Sequence, residues 1–285
     1  MHRFSFYHFC VKSIRFQFLL STILILFSVS TYAQSDNFPI GTRAASMGNA
    51  YVAESDIWSS HHNQAGLGFY PHFSVGFHNE NKFLVQEYSL HAIGLTVPVN
   101  AGTFGISYSY FGYSAYNESK LGLGFGKQFG NRFAAGVQLN YHNNYLLGEY
   151  GNRNAVSVEG GIQYKPTDNI ILGAHLTNPT HSTISNNEID TIPSYLNIGM
   201  TYRGLERILF TLQVNKEIEH ELRFLGGLEY EMFENLYLRA GFMTNPMQNT
   251  FGLGYKLGKL SADIAFTHHQ ILGFTPHFSF QAIIR

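Results

Sequence analysis

From about residue 72 to the end of the chain, hydrophobic side chains recur at every second position, and this period constrains the fold more than any other feature. Alternate residues of a strand point to opposite faces, whereas a helix repeats about every 3.6 residues. In 103 to 111, Phe104, Ile106, Tyr108 and Tyr110 alternate with Thr103, Gly105, Ser107 and Ser109. In 133 to 141, Phe133, Ala135, Val137, Leu139 and Tyr141 alternate with Ala134, Gly136, Gln138 and Asn140. Val156, Val158, Ile162 and Tyr164 oppose Ser157, Glu159, Gly161 and Gln163, and Leu121, Leu123 and Phe125 oppose Gly122, Gly124 and Gly126. After residue 60 there is no helical stripe of similar quality.

Such runs fall near 72–78, 87–97, 102–112, 118–129, 132–145, 154–165, 169–178, 194–203, 206–217, 220–231, 235–244, 248–258, 259–269 and 275–285. That makes about fourteen, an even number, as a closed bacterial barrel requires. Short turn-rich connections such as Gly130-Asn131 and Gly258-Lys259 alternate with longer ones near 79–86, 145–154 and 179–193. A soluble β-sandwich would also alternate, but its outer face is usually rich in Lys, Glu and Thr. Here the second face is Gly, Ser, Asn and Gln, which suits a crowded polar lumen. Charged residues make up only 13% of the chain and aromatics 15%, with a mean hydropathy of -0.08; strands that are half lipid-facing and half lumen-facing have this balance. The expected fold is an all-β transmembrane antiparallel barrel.

The first residues read as a secretory signal peptide: Arg3, Lys12 and Arg15, an apolar core through Leu19, Leu20, Ile23, Leu24, Ile25, Leu26 and Phe27, then Thr31-Tyr32-Ala33. The expected organisation is a cleaved leader over 1–33, an N-terminal plug over 34–70 and a barrel over 71–285, placed in the outer membrane of a Gram-negative-type bacterium. The sole cysteine, Cys10, lies in the leader, so the mature chain offers neither disulfide nor thiolate. A formal net charge of -1 without a basic stripe argues against nucleic-acid partners; membrane lipid is the expected surrounding.

Residues 41–70 break the period: Gly41-Thr42-Arg43-Ala44-Ala45-Ser46-Met47-Gly48-Asn49-Ala50, then Asp56, Trp58 and Asn63-Gln64-Ala65-Gly66. This stretch resembles the N-terminal fingerprint of the outer-membrane family that includes the FadL fatty-acid channels and the PorV and PorQ components of type IX secretion. Later segments are similar too: Leu176-Thr177-Asn178-Pro179, Gly227-Leu228-Glu229-Tyr230, Leu238-Arg239-Ala240-Gly241-Phe242 and Phe251-Gly252-Leu253-Gly254-Tyr255. The resemblance implies fourteen strands and a segment folded inside the barrel, with Gly41, Arg43, Ala44, Met47, Gly48, Asn63, Ala65 and Gly66 as its plug motif. Gln64 stands where the family usually has Pro. The short chain leaves little room for large outer loops, which favours the PorV/PorQ-like side. An inner segment also makes sense physically, because fourteen strands enclose more space than wall side chains alone can fill.

Strand phase points Glu159, Arg223, Glu229, Glu231, Arg239 and Asp263 inward. Glu229 and Arg239 lie on neighbouring strands, so Arg43, Glu159, Arg223, Glu229, Arg239 and Asp263 are the candidate lumenal charge network. No metal site is expected: the adjacent pairs His61-His62 and His268-His269 face opposite ways along a strand, the sequence has no helical His-x-x-x-His and no Cys partner, and no cofactor is implied. Gly122 to Gly126 places its glycines every second residue in a strand and opens no helix, so it is not a phosphate loop. No nucleophile–base set is present, and no enzymatic role is expected.

Three roles remain. A PorV/PorQ-like accessory of protein export would bind secretion-machinery proteins or secreted cargo and have a plugged lumen with an unbroken wall. A FadL-like channel for hydrophobic small molecules such as fatty acids would need an apolar pocket beneath the outer loops and an opening in the wall, with Gly148 to Asn154 and Asn178 to Pro193 as candidate interruptions. A structural barrel without transport is the third.

Overall fold

The structure, a computed structural model, describes residues 40–148, 151–183, 192–217 and 220–285. The expected leader and Cys10 lie outside the described residues, as do Asn186, Asn187 and Asp190 of the longest connection. The strands are β1 (Ser74–Asn81), β2 (Ser89–Val99), β3 (Gly102–Gly112), β4 (Tyr116–Phe129), β5 (Phe133–Leu146), β6 (Gly151–Thr167) and β7 (Ile170–Thr177). They continue with β8 (Tyr195–Leu205), β9 (Ile208–Glu217), β10 (Arg223–Phe233), β11 (Leu236–Met243), β12 (Gln248–Leu257), β13 (Leu260–His269) and β14 (Gly273–Ile283). Each pairs antiparallel with its neighbours in sequence, and β1 closes on β14 from Ser74↔Ile283 to Glu80↔His277. The chain is thus a closed antiparallel barrel of fourteen strands, and every expected run coincides with one of them. No described helix is long and apolar enough to cross a membrane; closure satisfies the backbone without one, since every strand has a neighbour on both sides.

The two faces separate as the period requires. On β5, Val137 and Leu139 are 60% and 55% exposed while Gln138 and Asn140 between them are buried. The exposed side chains form an apolar outer band, with cross-strand aromatic contacts such as Phe104–Phe125 at 4.9 Å. One end of the barrel carries only tight turns, at 100–101, 130–132, 168–169, 206–207, 234–235 and 258–259. The other carries the longer connections, including two 3₁₀ turns at Lys82–Leu84 and Gln86–Tyr88 and the segment 178–194. The connection expected over 145–154 is shorter than its polarity implied, because β5 and β6 stay paired as far as Leu146↔Gly151. Polar cross-strand pairs sustain that ladder; Asn143 Nδ2 donates to Asn154 Oδ1 at 2.6 Å.

Inside lies a segment with three short helices, α1 (Thr42–Ser46), α2 (Ser59–His62) and α3 (Ala65–Gly68). Helices this short do not persist alone. Side-chain bonds fix the turns that lead into α2 and α3: Ser59 Oγ accepts from Asp56 N at 3.0 Å, Asp56 Oδ1 from Trp58 N at 2.8 Å, and Asn63 Oδ1 from Ala65 N at 3.1 Å. The barrel supplies the remainder. Trp58 is buried with Ile40, Ile57, Leu90 and Ala92, and Met47 and Tyr51 with Ala44 and Leu209; each such side chain contributes on the order of 2 kcal/mol.

Lumenal glycines make room for this segment. A Cβ placed on Gly241 would stand 2.3 Å from Gly48 N, one on Gly136 2.3 Å from the Gln64 carbonyl carbon, and one on Gly173 2.4 Å from Val52 O. Gly241→Val is therefore expected to destabilise the plugged barrel by about 3 kcal/mol, read as a lower unfolding midpoint in detergent. Gly160→Ala, whose Cβ would meet nothing closer than 3.5 Å, is expected to leave the midpoint unchanged.

Candidate functional site

The motif residues of the inner segment owe their identities to its fit against the wall. Gly41 opens α1 at φ 96°, and its Cα faces the indole of Trp58 at a distance that would put a Cβ 2.8 Å from Cδ1. Gly48, at φ 62°, donates its N–H to Thr250 Oγ1 at 3.0 Å. Ala44 and Ala65 are fully buried, and Met47 seats under Gly227. Gly66 passes so close to Ser59 that a Cβ would stand 2.5 Å from its Oγ. Asn63 Nδ2 donates to Val52 O at 2.8 Å and reaches the wall at Ile162 O, 3.2 Å away.

Arg43 projects from α1 into a line of charges. Its Nε and Nη2 donate to the two carboxylate oxygens of Glu229 on β10 at 2.7 and 2.8 Å, and its Nη1 donates to Tyr51 Oη and Glu54 Oε2, both at 2.8 Å. Arg239, opposite Glu229 in the β10–β11 register, donates from Nε to Glu229 Oε2 and from Nη1 to Asp263 Oδ1, both at 2.6 Å. Gly254 leaves space for that last pair. Arg203 completes the set with two bonds to Glu54, and Tyr51 donates a short bond to Asp56.

The other expected members of this network stand apart. Glu159 belongs to a second centre, where it pairs with Lys120 and accepts from Asn140 Nδ2 at 2.8 Å and Gln64 Nε2 at 3.2 Å. His175 Nε2 lies 3.1 Å from Gln64 Oε1 and 3.5 Å from Glu159 Oε2. Gln64, in place of the family's Pro, thus brings an amide that bridges Glu159 and His175. Arg223 makes no ion pair among the described residues; it lines a polar chamber of about 70 Å³ beside Lys120, Glu159, His61, His62 and His175. Glu231 accepts from Asn235 N at 3.2 Å in the tight turn after β10. Parity alone could have placed Lys120 and Arg203 in the lumen, since Lys120 shares a face with Gly122 and Gly124, and Arg203 with Thr201. The carboxylate Glu54, in the aperiodic segment, had no such signal.

A second feature lies on the membrane side of the wall. An apolar hollow of about 550 Å³ runs over β4 to β8, lined by Phe125, Val137, Ile162, Leu176 and Leu196, with Lys127 at its edge. Its floor is backbone, since Gly136, Gly160 and Gly161 line it. His175 lines both this hollow and the polar chamber, so at Gly161↔His175 the wall is one residue thick. The β5–β6 and β6–β7 ladders remain paired there, and among the described residues the wall has no opening at this place. Gly148 and Asn178, offered above as interruptions, belong to connections at the barrel end.

No protein-family model matches the chain, and no curated protein matches it in sequence. Among solved structures it is similar to the CymD monoaromatic hydrocarbon channel, with a TM-score of 0.68 and 11% identity over 88% of this chain and 99% of that one. It is also similar to the toluene transporter TodX of Pseudomonas putida, at 0.60 and 13% over 84% and 95%, and to a Pseudomonas aeruginosa FadL homologue, at 0.56 and 12% over 85% and 97%. The likeness is one of fold, shared with FadL-like outer-membrane channels.

Arg43→Met, which leaves Glu229 and Glu54 short of a partner, is expected to cost about 3 to 5 kcal/mol. Adding Glu229→Gln should recover part of that, as a double-mutant cycle on chemical unfolding would measure. Burial pushes the imidazole of His62 down to about 4 and that of His61, with Lys120 nearby, to about 3. The unfolded chain binds these protons near pH 6.5, so stability should fall as pH is lowered from about 6.5 towards 4. The unfolding midpoint followed against pH should fall less steeply in the His61→Gln/His62→Gln variant.

Proposed function

We propose that this barrel is a non-catalytic outer-membrane channel that passes hydrophobic small molecules, fatty acids among the candidates, between its outer chamber and the membrane through the β6–β7 wall. The observation that carries this reading is the shared lining at His175. On one side is a polar chamber toward the longer connections, on the other an open apolar hollow of about 550 Å³. The inner segment acts as the latch: Gln64 holds His175 and Asn63 reaches Ile162 O and Ala174 O. Lys127, the charged side chain in the hollow's lining, offers an acid headgroup a counter-charge. The fold shared with hydrocarbon channels supports the same reading.

Three observations favour the PorV/PorQ-like role in type IX secretion. The wall is paired throughout, the plug is bound by buried ion pairs, and the lumenal chamber is small and polar. A barrel of that kind serves as a closed platform for machinery proteins or cargo.

The two are separated with a reversible staple. Gly160 and Leu176 are opposite one another on the membrane face, and Cys10, in the expected leader, is the only native cysteine. In the Gly160→Cys/Leu176→Cys variant, oxidation is expected to reduce entry of a radiolabelled monoaromatic hydrocarbon and of a fatty acid to the level of cells lacking the barrel, with recovery on reduction. Entry that never exceeds that level in the wild type, with secretion components co-purifying, would establish the export role instead.

A further inference from the structure

We propose that His78, Glu80 and His277 hold a divalent first-row transition-metal ion of the zinc class at the seam where the barrel closes. His78 and Glu80 are two apart on β1 and share its lumenal face; His277 on β14 stands directly opposite Glu80 in the register. All three are buried, and one ligand atom from each lies within 4.8 Å of the others. The His277 Nδ1 to Glu80 Oε2 separation is 3.7 Å, close to the roughly 3.4 Å between ligand atoms of a tetrahedral zinc ion with bonds of about 2.1 Å.

Glu80 and His277 have little else to bind among the described residues. Among the described residues, neither Glu80 Oε2 nor His277 Nδ1 has a hydrogen-bond partner, and no lysine or arginine pairs with Glu80. Their cross-strand neighbours on the same face are Leu90 and Ala265, so desolvation of a bare carboxylate there is costly. A dication offsets it. Two imidazole nitrogens and one carboxylate oxygen, without thiolate, suit zinc or a late first-row neighbour and not calcium or magnesium, which prefer oxygen alone.

Each imidazole is also oriented from behind. Thr267 Oγ1 lies 3.0 Å from His277 Nε2, and Thr42 Oγ1 of the inner segment 3.2 Å from His78 Nδ1. A threonine hydroxyl that accepts the ring N–H leaves the other nitrogen as the lone-pair donor, the arrangement usual behind metal-bound histidines. The 3₁₀ turn after β1 folds over the same place, where Phe83 N donates to Thr275 Oγ1 at 3.0 Å. Three protein ligands leave a position for water. A bound ion would join the first strand to the last and, through Thr42, draw in the plug.

The test uses the full-length barrel purified in detergent, stripped with a chelator and titrated with Co²⁺, followed by its visible absorption, and with Zn²⁺ by calorimetry. The wild type is expected to take up one ion per barrel and to unfold at a higher temperature with Zn²⁺. Glu80→Gln and His277→Gln should each weaken binding at least about tenfold, whereas the His268→Ala/His269→Ala variant should bind as the wild type does. Because a ligand variant can fail to close the barrel, Thr267→Val, which removes only the hydroxyl behind His277, is read in parallel and should weaken binding severalfold. A folded wild type that takes up no Co²⁺, or binding abolished only by the His268→Ala/His269→Ala change, would overturn the assignment.

Discussion

The guanidinium of Arg43, held between Glu229 of the wall and Glu54 of its own segment, ties the inner segment to the barrel. A charge removed from water needs partners, and the network that supplies them draws on three distant parts of the chain, with Arg203 acting on Glu54 and not on Arg43. The inner segment supplies Arg43, Tyr51 and Glu54, β10 supplies Glu229, and β8 reaches in with Arg203. This knot joins α1 to β10. Met47 then lies under Gly227 and Gly48 against Gly241, and the polar and apolar parts of the lumen follow from that placement.

Two kinds of fit hold the segment, and they act differently. The ion pairs set its position along the barrel but contribute little net stability after desolvation. Steric complementarity between the lumenal glycines and the plug backbone contributes the close packing. Side chains larger than hydrogen at Gly126, Gly136, Gly173 or Gly241 would occupy space that the inner segment fills, so the wall carries an imprint of what it encloses.

Much of the architecture was legible in the sequence because a strand's period reports its two faces directly. The fourteen strands, the lipid-facing aromatics and the inward pointing of Glu229, Arg239 and Asp263 all follow from parity. What parity lacks is distance along the barrel. It put Glu159 and Arg223 in the same lumen as Arg43 without showing that Glu159 answers to Lys120 and His175 or that Arg223 faces the chamber. The histidines illustrate the same gap: adjacent pairs drew notice, while His78, Glu80 and His277 meet only because β1 and β14 close the barrel, an event invisible to local spacing. The hairpin at 147–150 was read as longer because its flanks are polar, yet polar cross-strand pairs extend a ladder as well as apolar ones do.

His175 lines the polar chamber on one side and the apolar hollow on the other. For an evolving lineage this makes the position pleiotropic: a single codon change there alters the lining of the chamber and of the hollow at once. Selection on either property is therefore felt by the other, and divergence among relatives should proceed at that strand by paired changes, with the plug residue that touches it moving in step.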